Sequence, residues 1–198
     1  MISMYCWFYL GDDVPRGTNN LFMTVTIADV KDSIRNIPDF PKEGIQFKDV
    51  STAFKEKKIF KFIVSEIKGH YEDFGITKVV GIESRGFILG STLAGELHAG
   101  FVPVRKPGKL PAETFAQSYD LEYGSDALEI HTDALDKEDI VLIHDDLLAT
   151  GGTIDAAVNL VKKFGVSKIY VNFFVELDFL KGRERIGNDI PIWSLIHY

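Results

Sequence analysis

Residues 140–153, IVLIHDDLLATGGT, hold the groups in this protein best placed to do chemistry. Four apolar residues, 140–143, read as a buried strand, and two adjacent carboxylates, Asp145 and Asp146, follow at its C-terminal end. A short loop comes next, Ala149, Thr150, Gly151, Gly152 and Thr153, and then helical spacing over 154–164. A strand, a loop of small residues and a helix start together make an anion site. Unpaired backbone N–H groups and the positive end of the helix dipole point into the loop. The two glycines let the backbone approach closely, and the threonine hydroxyls add donors. The aspartates would repel a phosphate, so they suit hydroxyl groups or a hydrated Mg²⁺ beside it. The ligand then carries a phosphate at one end and a diol a few ångströms away, as ribose 5-phosphate does. The loop is not a P-loop, because no Lys-Ser/Thr follows the glycines.

A second group is cationic. Arg105, Lys106 and Lys109 put three positive charges into five residues at the end of an expected strand, 101–105. A solvated basic turn is the ordinary reading of such a run. Beside an anion loop it becomes a partner for further phosphate charge. A third group is the turn Glu83, Ser84, Arg85 and Gly86 after the expected strand 78–82.

The elements that must carry these groups can be read from periodicity. Thr26 and Asp29 form a capping box for a helix that ends before Pro38. Residues 40–54, with Pro41 and Gly44, read as loop. Apolar positions 60, 63 and 67 give helical spacing over 55–71, and 86–97 is a second helix. Residues 106–115 are loop, and 116–121 with 127–132 form a hairpin about Tyr123-Gly124-Ser125. Residues 168–175 are a strand, 179–185 a short helix and 192–196 a last strand. Strands alternating with helices give an α/β fold, a parallel twisted sheet with helices on both faces. Ligands of such sheets sit beyond the carboxyl ends of the strands, where all three groups fall.

Composition narrows the partners. The 198 residues carry 22 basic and 29 acidic side chains, a net charge of −7, which argues against nucleic acid or an anionic membrane surface. The single cysteine, Cys6, excludes an internal disulfide framework and a cysteine metal site, and suits a reducing, cytoplasmic setting. The first ten residues are apolar but lack a basic lead and are too short to span a bilayer. Residues 1–22 read as an N-terminal extension without a catalytic part, either an upstream read-through before Met23 or an ordered addition. Residues 23–198 read as one domain.

The 140–153 run resembles the phosphoribosyl-diphosphate motif of type I phosphoribosyltransferases. Further segments resemble the adenine phosphoribosyltransferases in particular: FPKEGIQFKD at 40–49, GIESRGF at 81–87, RKPGKLP at 105–111, SYDLEYG at 118–124, VEL at 175–177 and KGRE at 181–184. They run in the family's order from about residue 26 to the end. The resemblance implies the type I fold, with a small N-terminal hood and a mobile β-hairpin lid. It implies formation of AMP and diphosphate from adenine and 5-phosphoribosyl 1-diphosphate, with Mg²⁺ as cofactor, in a homodimer. On that footing Phe47 stacks on the purine and the backbone of Gln46 reads its amino edge. Adenine's amino donor beside a ring acceptor matches a backbone C=O and N–H, and hypoxanthine's oxo group does not. Lys48, Leu147 and Leu177 complete the base pocket. Ser84, Arg85, Arg105, Lys106 and Lys109 serve the diphosphate. Asp145 and Asp146 hold the ribose hydroxyls, with the metal bound near them mainly through ligand and water. Glu122, on the lid, and Arg85 are the catalytic candidates, Glu122 taking or relaying the purine proton. The same resemblance implies a cis peptide between Glu83 and Ser84.

Three positions depart from the family pattern. Glu43 replaces a frequent proline, and Lys48 a frequent arginine, which loosens any bidentate contact. His144 occupies a usually apolar strand position and reads as a satisfied core histidine. The rival enzyme is a phosphoribosyltransferase for another 6-substituted purine, separable by base competition. A ligand-sensing regulator on the same fold would need a DNA-reading module, and the acidic sequence offers no basic helix-turn-helix.

Overall fold

The computed structural model describes residues 24–120, 125–187 and 189–198. Its centre is a five-stranded sheet, β3 (Lys78–Ile82), β4 (Gly100–Val104), β7 (Ile140–Leu148), β8 (Lys168–Glu176) and β9 (Ile192–His197). The order is β4-β3-β7-β8-β9, and every neighbouring pair is parallel. Side chains alternate across the sheet as the strand period requires. Val80, Ile82, Val141, Ile143, Val171 and Phe173 face one core, with α5 (Gly152–Lys162) and the inner side of a hairpin, β5 (Thr114–Asp120) and β6 (Ser125–His131). Val79, Leu142, Tyr170 and Phe174 face the other, with α1 (Ile27–Ser33), α3 (Lys57–Tyr71) and α4 (Gly86–Glu96). Helices therefore cover both faces, as the alternation predicts.

Two expectations need correction. Residues 40–54 are not all loop: β2 (Gln46–Asp49) and α2 (Ser51–Phe54) lie there, and β2 pairs antiparallel with β1 (Arg35–Pro38), which starts just after the first helix stops at Ser33. Strands of four residues are too short to show a period. Their connection contains a cis Phe40–Pro41 bond and left-handed Asp39 and Gly44, and the Gly44 N–H donates to Asp39 Oδ1 at 2.7 Å. The other correction concerns β7, which does not stop before the acids but runs on to Leu148. Its ladder with β8 continues to Leu148↔Glu176, whereas its ladder with β3 ends at Gly81↔His144. The strand is held on one side only where Asp145 and Asp146 occur. That one-sided stretch opens a crevice between β3 and β7, the point where the strand order reverses direction.

The Thr26–Asp29 capping box is present, with the Asp29 N–H on Thr26 Oγ1 at 3.3 Å and the Thr26 N–H on Asp29 Oδ2 at 2.8 Å. Among the described residues no helix is long and apolar enough to cross a membrane.

His144 is a core residue, fully buried, but only half satisfied. Asn172 donates through Nδ2 to the Trp193 carbonyl, so its Oδ1 faces His144 Nδ1 at 2.7 Å and accepts from it. Nε2 has no partner among the described residues. A second proton there would be a buried, unpaired charge, and burial lowers the imidazole pKa to about 4. The unfolded protein takes up that proton below its ordinary value of 6.5, and the folded protein resists it. Stability is therefore full above pH 6.5 and is lost as pH falls toward 4. Between pH 6.5 and 5 the loss should reach about 2 kcal/mol. Denaturant titration at both pH values should find most of this loss absent from His144→Leu. An equal loss in the two proteins would contradict the assignment.

Candidate active site at the switch between strands three and seven

The turn after β3 is built around Glu83. Its carboxylate accepts from Arg105 Nε and Nη2, both at 3.2 Å, and from the Lys106 N–H at 2.9 Å. The Lys106 amide first, and Arg105 next, hold its pKa below the ordinary value. The Glu83–Ser84 peptide is cis, as the resemblance implied. Gly86 then opens α4 hard against β7. A Cβ there would lie 2.8 Å from Asp145 Oδ1 and 2.9 Å from the His144 carbonyl. Only a residue without a side chain lets the helix start so close to the acid.

Arg85, between these two, reaches across the crevice. Its Nε lies 2.8 Å from Asp146 Oδ2, and its guanidinium carbon sits 5.5 Å from the centre of the Phe47 ring. The N–H is poorly aligned on the oxygen, which has no well-formed hydrogen bond among the described residues, so the contact is an ion pair. Asp146 is almost fully buried. Asp145 Oδ1 accepts from the Asp146 N–H at 2.9 Å. Burial and the neighbouring Asp146 charge push the Asp145 pKa well up. Burial also raises Asp146, with Arg85 opposing.

The loop that follows is shaped by close backbone contact. Gly151 is left-handed at φ 85°, a conformation that favours glycine. A Cβ on it would stand 2.3 Å from the Gly182 carbonyl, and one on Gly182 would stand 2.3 Å from the Ala149 carbonyl. The loop lies backbone on backbone against the 3₁₀ turn Gly182–Arg185. Arg183 anchors that turn by a two-pronged bond to the buried Glu176, at 2.5 and 2.6 Å. Gly182 thus backs the loop from behind, a supporting role that sequence reasoning missed. The KGRE run was its signal, but nothing in the run says that the glycine faces the loop. The helix α5 starts at Gly152, two residues earlier than the apolar spacing suggests, so its first turn includes the loop's end. A small cavity of about 80 Å³ lies here, lined by Asp145, Phe173 and residues 147–154.

It adjoins a larger cavity of about 650 Å³. At one end stand Gln46, Phe47 and Lys48 of β2, opposite Leu147 and Leu177. Phe47 is braced edge-on by Phe40 at 5.1 Å. Phe179, 70% exposed, and Leu180 form an apolar rim that the sequence did not single out. Asp145, Asp146, Thr150, Thr153, Glu83, Ser84 and Lys106 line the rest, and Arg85 lies beside both Asp146 and Phe47. Lys106 Nζ donates to Tyr119 Oη at 2.9 Å and pairs with Asp126, which ties the hairpin to the cavity. Arg105 and Lys109 line neither cavity. Arg105 is engaged by Glu83 and by the Lys109 carbonyl at 3.2 Å, so it braces the turn. Glu122 and residues 1–22 lie outside the described residues.

One group among the described residues has ligand spacing for a metal, Glu176, Asp178 and His197. Arg183 occupies both carboxylate oxygens of Glu176, so this group is an ion-pair cluster. Asp145 and Asp146 offer two hard oxygen donors in the cavity, too few for a protein cage and suited to a cation held mostly by ligand and water.

Known proteins share both the sequence and the shape. The phosphoribosyl transferase domain family matches residues 50–189. The adenine phosphoribosyltransferase of Bacteroides thetaiotaomicron is 57% identical over 164 residues, covering 83% of this chain and 93% of that protein. The crystal structure of adenine phosphoribosyltransferase from Rhodothermus marinus superposes with TM-score 0.82 at 47% identity, covering 86% of this chain and 97% of the other. The Giardia lamblia enzyme, solved with 9-deazaadenine, superposes with TM-score 0.84 at 44% identity, covering 88% and 99%. With the switch-point crevice, the paired acids and the glycine loop all in place, this protein belongs to the adenine phosphoribosyltransferase family.

Proposed function

We infer that the crevice transfers the 5-phosphoribosyl group of 5-phosphoribosyl 1-diphosphate to adenine, giving AMP and diphosphate in purine salvage. The observation that carries this reading is a pair of adjoining cavities that share Asp145, Thr150 and Thr153, the larger walled by Phe47 and the smaller by a glycine loop on a helix start. The 5′-phosphate takes the backbone N–H groups of residues 149–153 and the dipole of α5. The ribose hydroxyls take Asp145 and Asp146. Ser84, Arg85 and Lys106 receive the diphosphate, with Arg105 and Lys109 acting from behind the turn. As the C–O bond to the diphosphate breaks, these cations face the negative charge that develops. A Mg²⁺ bound with the diphosphate near Asp145 and Asp146 would neutralise part of that charge.

Base choice rests on the backbone at Gln46. Its side chain is occupied elsewhere, accepting from Asn36 Nδ2 at 2.6 Å. Across the hairpin it pairs with Pro38, which has no N–H to engage the Gln46 carbonyl. The Gln46 carbonyl is thus available to the amino edge of a purine. Arg85 joins the base end to the ribose end and is a catalytic candidate beside Glu122 of the lid. Residues 23–198 make up the catalytic domain and residues 1–22 an extension outside it. The family resemblance and the single cysteine favour a cytoplasmic homodimer.

Three measurements test this reading. Purified protein should form AMP from adenine and phosphoribosyl diphosphate with Mg²⁺, lose that activity in EDTA, and leave excess hypoxanthine unused. Comparable turnover of hypoxanthine would contradict the base assignment. Glu122→Gln should lower kcat while adenine binding stays near wild type; an unchanged kcat removes the carboxylate from catalysis.

The third measurement uses the raised Asp145 pKa. The folded state disfavours this charge, so it lowers stability progressively as pH rises above the unfolded value near 4. Asp145→Asn should therefore melt higher than wild type at pH 7, by about 2–4 °C per kcal/mol recovered, with the gain vanishing near pH 4. The same variant should lose about 10- to 100-fold in kcat/KM for phosphoribosyl diphosphate. A variant no more stable at pH 7, or one with full activity, would contradict the assigned role.

A further inference from the structure

The hood strands β1 and β2 form a two-stranded sheet of their own, with no ladder to the central five. Yet β2 supplies one wall of the base end, and Leu177, just beyond β8, supplies the other. Something other than strand pairing must set their separation. Tyr198 touches both sides. Its ring carries Lys48 of β2, whose Nζ lies 4.2 Å from the ring centre. Its hydroxyl donates to the Lys31 carbonyl at 3.3 Å, and Lys31 Nζ donates to the His197 carbonyl at 2.9 Å. On the other side its backbone brackets Leu177: the Tyr198 N–H donates to the Glu176 carbonyl at 3.0 Å, and the Asp178 N–H donates to the Tyr198 carbonyl at 2.9 Å.

We propose that Tyr198 is a positioning residue for the purine, holding Lys48 and the adjoining Phe47 at a fixed distance from Leu177. The inference rests on the reading of this cavity as an adenine site. The Lys48 ammonium is a compact charge over the aromatic face of Tyr198. Tyr198 touches no reacting atom, so its effect falls on the base and spares the phosphoribosyl end.

Steady-state kinetics on the whole protein separate these effects. Tyr198→Ala removes this tie between β2 and the Leu177 side and should raise KM for adenine about tenfold, while kcat and KM for phosphoribosyl diphosphate stay within about twofold. Tyr198→Phe keeps the ring under Lys48 and should restore the adenine KM to near wild type. Should the alanine variant fail to fold, Tyr198→Leu keeps apolar packing, removes the cation–π contact and carries the same expectation. An unchanged adenine KM in the folded variant overturns the proposal. So does an equal rise in both KM values, which marks general loosening. A wild type that ignores adenine overturns it together with the reading beneath it, whereas an active wild type with a flat variant KM overturns the role of Tyr198 alone.

Discussion

The structure turns on one event, the parting of β3 and β7 after Gly81↔His144. Up to that pair the two strands share a parallel ladder between buried faces. Beyond it β3 turns into α4 on one side while β7 continues, supported by β8 alone. Backbone groups left unpaired at the gap must find other partners. Three local choices fit that need: an acid turn braced by Arg105, two aspartates on the one-sided strand, and a glycine loop that feeds a helix start.

That arrangement carries a cost in stability. Two neighbouring carboxylates lie in a site where burial raises both their proton affinities, and Arg85 offsets this only in part. A buried charge of this kind persists where binding needs it rather than where folding does. Nearby packing leaves little room for adjustment. Gly86 lets α4 abut Asp145, and Gly151 and Gly182 let two backbones touch. The hood is the opposite case, joined to the body through side chains such as Lys48, Arg85 and Tyr198 rather than through strand pairing.

The legible parts of the sequence are those with a strong local pattern. The glycine loop before α5, the acids, the alternating sheet and the Thr26 capping box each follow from residue type and spacing within a short window. The hood hairpin is missed, β1 under the end of the first helix and β2 under a loop, because four-residue strands show no period, and its turn places Asp39, a non-glycine residue, in the left-handed region. The end of β7 escapes local reading because strand continuation past two aspartates depends on β8, which is distant in sequence. Three neighbouring cations give no sign that Arg105 turns back to Glu83 while Lys106 faces the cavity. Gly182 and Tyr198 are invisible as supporting residues for the same reason: their roles exist only in contacts between remote segments.

A crystal structure of the protein with AMP tests the central claim most directly. The account predicts the 5′-phosphate on the N–H groups of residues 149–153, the ribose hydroxyls within hydrogen-bonding distance of Asp145 and Asp146, and the purine between Phe47 and Leu147 or Leu177. A phosphate seated instead at Lys106 and Ser84, with the hydroxyls turned away from both aspartates, would contradict it.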